Sequence, residues 1–103
     1  MISPVKRGSI IELEAQILFT KAGFEVFTNT HADGPADLVV WDGSIFYPID
    51  TKKLKRYIRA DGSIGFSKAA KRDNQDNVYI LGYTPEDGWI WISENIPPAL
   101  DIL

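Results

Sequence analysis

The chain has 103 residues, 45% hydrophobic and 24% charged, which is the size and make-up of one globular domain over residues 1–103 and leaves no room for a second core. It has no cysteine, which excludes disulfides, thiolate catalysis and cysteine-ligated zinc, and no apolar run near the roughly 18 residues of a membrane span or a signal-peptide core, so no membrane partner and a cytoplasmic location (the host-cell cytoplasm for a phage-encoded chain) are expected. The net charge of −3 is unevenly divided: between residues 10 and 50 only Lys21 opposes Glu12, Glu14, Glu25, Asp33, Asp37, Asp42 and Asp50, whereas between 52 and 72 only Asp61 opposes Lys52, Lys53, Lys55, Arg56, Arg59, Lys68, Lys71 and Arg72. Such a division suits a protein that holds a cation in one half and grips a polyanion with the other; a merely solvated basic face is the plain alternative.

In chain order, Met1 to Arg7 reads as a loop or arm. Ser9-Ile10-Ile11-Glu12 has the form of a capping box, predicting a helix from Ser9 to about Ala22. Ile10, Ile11, Leu13, Ile17, Leu18 and Ala22 would give it a wide buried face, and Gly23 would end it. Phe24 to Thr28 reads as a strand, and Asn29 to Gly34 as a polar loop with the only histidine, His31. Leu38-Val39-Val40-Trp41 and Ile45-Phe46-Tyr47-Pro48-Ile49 are two apolar runs joined at Asp42-Gly43, the signature of a hairpin. Asp37 opens the first strand and Asp50-Thr51-Lys52 closes the second. Alternation puts Asp50 and Lys52 on one face and Thr51 on the other.

After Lys52 a smaller hairpin is expected over Tyr57 to Phe66, turning at Asp61-Gly62. A short helix over Lys68 to Asn74 follows, then strands over Asn77 to Gly82 and Trp89 to Ile92. Pro97-Pro98 argues against regular structure near the C-terminus. The order predicts an α/β fold: a mixed five-stranded sheet with helices packed on it. The strand Trp89-Ile90-Trp91-Ile92 would serve either as core or as an interface between subunits.

Two carboxylates drawn together repel unless a cation lies between them, and a hard divalent ion with oxygen ligands is the usual solution. Glu12, Asp37 and Asp50-Thr51-Lys52 resemble the site of the PD-(D/E)xK nucleases of the restriction-endonuclease-like fold, with one residue more than a strict Pro-Asp at Pro35-Ala36-Asp37. Arg7-Gly8-Ser9, Glu12 and Gly23-Phe24-Glu25-Val26, with the basic run from Lys52 to Arg56, are most similar to the archaeal-type Holliday-junction resolvases, over roughly residues 6–56. Intron-encoded and small phage endonucleases are a second relative.

The resemblance implies catalysis by Glu12, Asp37, Asp50 and Lys52. It implies Mg²⁺, with Mn²⁺ able to substitute, on Glu12, Asp37, Asp50 and the Thr51 carbonyl. Lys52 would either handle the attacking water or stabilise charge in the transition state. Glu14 is a rival to Glu12, and His31 a weaker candidate. Arg7, Ser9, Lys53, Lys55, Arg56 and Arg59 are the expected DNA contacts, with Tyr57 interleaved and Lys68, Lys71 and Arg72 extending the track. The expected partners are branched or duplex DNA and a second copy of the chain. A sequence-preferring homing- or restriction-type enzyme, a non-catalytic DNA-binding module and a protein-interaction module built on Trp89 and Trp91 are the alternatives.

Overall fold

A computed structural model describes residues 4–29, 35–67 and 77–103, with side chains from Ser9 onward. The helix α1 spans Pro4–Lys21 and so begins before Ser9. Proline suits a first helical turn, where its missing N–H has no partner to lose and its fixed φ is already helical. The helix runs through Gly8, which leaves Ser9 and Glu12 inside it and removes the expected capping box. Glu12 therefore has no capping role. The helix ends as predicted: Gly23 takes φ 97°, and Phe24 N donates to Phe19 O at 3.0 Å.

Among the described side chains of α1, one stripe is buried, Ile11, Ala15 and Phe19 at four-residue intervals. Ile10, Leu13 and Ile17, expected inside, lie on the outer face and are each more than two-fifths exposed. The apolar face is divided rather than wide.

The main sheet contains β1 (Glu25–Thr28), β2 (Leu38–Trp41), β3 (Phe46–Lys53), β6 (Tyr79–Thr84) and β7 (Gly88–Trp91), in the order β1-β2-β3-β6-β7. All pairings are antiparallel except β3 with β6, so the mixed five-stranded sheet read from the sequence is present. The smaller hairpin, β4 (Arg56–Ile58) with β5 (Ile64–Phe66), stands apart from it as its own ribbon. The predicted helix over Lys68 to Asn74 lies outside the described residues. The C-terminus holds a short 3-10 turn, Pro98–Leu100, where no regular structure was expected; proline opens such a turn without losing a bond.

The core lies between α1 and one face of the sheet. Ala15 and Phe19 meet Leu38, Val40, Tyr47, Ile49 and Leu81, and Leu100 seals the end. On the opposite face a smaller cluster joins Ala36, Val78 and Ile80 with Ile92. Leu54, just past β3, is buried over Gly82, where any Cβ would collide with it. Trp91 packs on Phe19 with ring centroids 6.2 Å apart, and its indole N–H donates to Leu100 O at 3.1 Å. Trp89 and Trp91 are thus partly buried and pack against the core from the edge strand β7.

Candidate active site

The site begins with the register of β2 against β3. Leu38 pairs with Ile49, so the residue before β2 falls opposite the residue after Ile49: Asp37 faces Asp50. Asp37 N donates to Ile49 O at 2.9 Å, which extends the ladder to this position. On its other side β3 is paired with β6, Asp50 lying beside Ile80. Asp50 is therefore held in a central strand and is only 2% exposed. A solvated salt bridge at a sheet edge does not describe such a residue.

The two carboxyls thus sit side by side at the end of the ladder, close enough to affect each other's ionisation. Burial pushes the Asp37 carboxyl up from the ordinary carboxylate range, and Asp50 beside it pushes the same way. Thr51 opposes this. Its backbone N–H and its hydroxyl both donate to the same Asp37 oxygen, Oδ2, each at 2.8 Å. Lys52 supplies the nearby cation: Nζ lies 2.9 Å from Asp50 Oδ2, with about a quarter of the side chain in solvent. Asp50 and Lys52 share a face, as the alternation predicted.

Glu12 approaches from α1. Its carboxyl is raised by partial burial and then by the charges of Asp37 and Asp50, so the helix brings a third acid within electrostatic range of the pair. Glu14 lies instead on a cavity of 230 Å³ with Ile10, Ile11, Lys53, Tyr83 and Pro85. Among the described residues no three acids or histidines already encircle one point closely enough to bind an ion together, since Glu12 interacts with the aspartates by charge alone. The donor set suits a hard divalent cation nonetheless. It is all oxygen, and it crowds negative charge around a single lysine, a condition that a bound cation relieves.

The expected DNA contacts divide into two groups. Ser9, Lys53 and Lys55 are exposed. Arg56 and Arg59 are exposed as well, but both are engaged within the fold. Arg56 Nε lies 3.6 Å from Asp87 Oδ2. Arg59 Nη1 donates to Ile64 O at 2.8 Å, and its guanidinium sits 5.7 Å above the Tyr57 ring. Arg7 lies in the first turns of α1. His31, Lys68, Lys71 and Arg72 fall outside the described residues. Two residues escaped the sequence reading: Thr51 as a double donor to Asp37, and Asp87 as the anchor of Arg56. Neither carries a local signal, because both contacts depend on long-range pairing.

No helix among the described residues is long and apolar enough to cross a membrane. No protein-family model matches the chain, and no curated protein matches it significantly in sequence. A solved structure described as a bacterial homing endonuclease, I-Ssp6803I, is similar to the chain in fold, with a TM-score of 0.60 and 18% sequence identity, over 95% of this chain and 86% of that one.

Proposed function

We propose that the chain is a metal-dependent DNA endonuclease of the PD-(D/E)xK kind that hydrolyses phosphodiester bonds. The observation that carries this reading is the placing of Asp37 opposite Asp50 in the sheet register, with the Lys52 ammonium group 2.9 Å from Asp50. Asp37 and Asp50 would hold Mg²⁺ or Mn²⁺, with Glu12 and the Thr51 carbonyl completing the set. When bound, the ion supplies Lewis-acid neutralisation of the charge that builds on the phosphate oxygens. Thr51 orients Asp37 through its two donated bonds, which fix one carboxylate oxygen in place. Lys52 keeps its ammonium group at the carboxylate, partly in solvent, where an incoming phosphate and the attacking water would meet it. Lys53 and Lys55 supply phosphate contacts that fix the DNA without reading it.

Two substrate preferences fit this chemistry. The resemblance around Arg7-Gly8-Ser9 and Gly23-Phe24-Glu25-Val26 favours branched DNA, and the fold likeness to a homing endonuclease favours duplex DNA of preferred sequence. A homodimer is part of the proposal, because two symmetric cuts need two sites; the exposed Ile10, Leu13 and Ile17 of α1 offer an apolar surface for it. Incubation with four-way junctions, flaps, single strands and randomised duplexes in Mg²⁺ tests the reading. Cleavage of at least one class that stops on chelation is expected. Binding without cleavage of any class would leave only a DNA-binding module on a nuclease-like scaffold.

A further inference from the structure

We propose that the β4–β5 hairpin enters the major groove of duplex DNA and that Ile58 and Ile64 at its end contact thymine methyl groups, giving the chain a preference for A·T pairs. This rests on the DNA-endonuclease reading above and adds a base contact to its phosphate contacts. Ile58 and Ile64 are directly opposite one another, and they are 76% and 42% exposed. Two large aliphatic side chains at the tip of a ribbon lose by standing in water, and the hairpin does not need them to hold its shape. Its other face is fixed by the Tyr57 ring, which lies so close over Gly65 that a Cβ there would come within 2.6 Å of it. Its turn is fixed by Arg59 N to Ser63 O at 2.8 Å and by Asp61, which accepts from both Ser63 N and Ser63 Oγ.

The shape and the surrounding charge point to one occupant. A two-stranded ribbon is an element that the major groove admits. The chain leading into the ribbon carries exposed Lys53 and Lys55, which match a polyanion. Ile58 and Ile64 share their face with Arg56 at the base of the ribbon, whose guanidinium is held by Asp87. Inside the major groove the base edges are polar apart from the thymine methyl group, so that is the group an isoleucine can bury against. The aromatic cluster of exposed Phe27 and Phe46 with half-buried Trp41 differs in this respect, since its neighbours in the sheet include Glu25 and Asp42 rather than cations.

The test uses an alternating A·T duplex and the same duplex with uracil, which lacks the methyl group, in place of thymine. Binding is measured in chelator, so that nothing is cut. The wild-type chain is expected to bind the thymine duplex more tightly, by about four-fold for each methyl buried. The double variant Ile58→Ser with Ile64→Ser is expected to bind both duplexes at the uracil level, with an unchanged salt dependence because no phosphate contact is lost. Equal wild-type affinity for the two duplexes, or a variant that still discriminates, overturns the assignment and leaves the nuclease reading standing. So does a variant with lowered Tm or altered oligomeric state, which would make the pair a packing or subunit contact. A wild-type chain that binds neither duplex, nor any other DNA, removes the nuclease reading itself.

Discussion

The acid corner and the β4–β5 hairpin adjoin in sequence, yet they are built in opposite ways. At the corner, β3 is held on both flanks by β2 and β6, Asp50 is buried, and Asp37 is pinned by two bonds from Thr51. In the hairpin every β4 side chain is exposed, and the ribbon is tied to the body through few contacts, among them Arg56 with Asp87. Hydrolysis needs charges preorganised where water cannot reorganise around them, and that requires burial in a well-supported strand. Gripping a polyanion needs cations in reach of solvent, where burial would only cost. Under the proposed function the chain would pass from one requirement to the other within a few residues, across the buried Leu54.

The contrast breaks most visibly under Asp50→Ala. Removing a carboxylate that would hold the ion forfeits several kcal/mol of charge stabilisation in the transition state, or roughly 10³-fold in rate. Single-turnover cleavage should fall by that factor while DNA affinity holds or tightens, because a negative charge has left the cleft. An equal loss of binding and cleavage would show that the corner serves attachment and not chemistry. Next in size is Phe19→Ala. Phe19 is fully buried beneath the sheet, and its truncation should cost about 3–5 kcal/mol in denaturant unfolding. Tyr57→Ala, in the exposed hairpin, should cost about 1 kcal/mol or less by the same measurement. Similar costs at the two positions would mean that the ribbon shares the core after all.

A third test uses pH. Asp37 and Glu12 are both raised, chiefly by burial and then by neighbouring acids. Such groups add stability that is complete below their unfolded values and is lost as pH rises through the folded ones. The metal-free protein should therefore lose stability from about pH 4 toward neutrality, as these carboxyls ionise against each other. Mg²⁺ should restore it, by about 2.7 kcal/mol at a hundredfold excess over its Kd. The gain in Tm on adding Mg²⁺ should be large at pH 7.5 and small at pH 4.5. A gain that ignored pH would place the ion elsewhere on the molecule.

Much of this was legible in the sequence. The hairpin, its alternation and the facing of Asp37 and Asp50 follow from period-two patterning and the turn at Asp42-Gly43, where Asp42 Oδ1 accepts from both Ser44 N and Ile45 N. The mixed sheet follows from element order, and the second hairpin from Asp61-Gly62. Helix α1 was read less well. Ser9 and Glu12 have the spacing of a capping box, but nothing local says that Pro4 has already started the helix. The split between Ile11, Ala15 and Phe19 inside and Ile10, Leu13 and Ile17 outside is set by the narrow strip of sheet on which the helix lies. The anchoring of Arg56 and Arg59 depends on Asp87 and the Ile64 carbonyl, which only the folded chain brings near. A run of basic residues suits a polyanion; it does not show which of its members are already occupied.

The smallest expected effect concerns that occupied arginine. Asp87 accepts from Thr84, which is fully buried, and faces Arg56 on the ribbon. Asp87→Ala removes an ion pair whose side chains are 37% and 28% exposed, which should cost less than about 1 kcal/mol, and the acceptor of the buried Thr84 hydroxyl, which should add about 1 kcal/mol. Its effect on binding has the opposite sign: Arg56, released from its partner, becomes one more cation available to phosphate, and the slope of log affinity against log salt should steepen by about one unit. If Arg56 already contacts phosphate while paired to Asp87, the slope will not change, and Asp87→Ala will instead weaken binding by letting the ribbon swing away from the corner it serves.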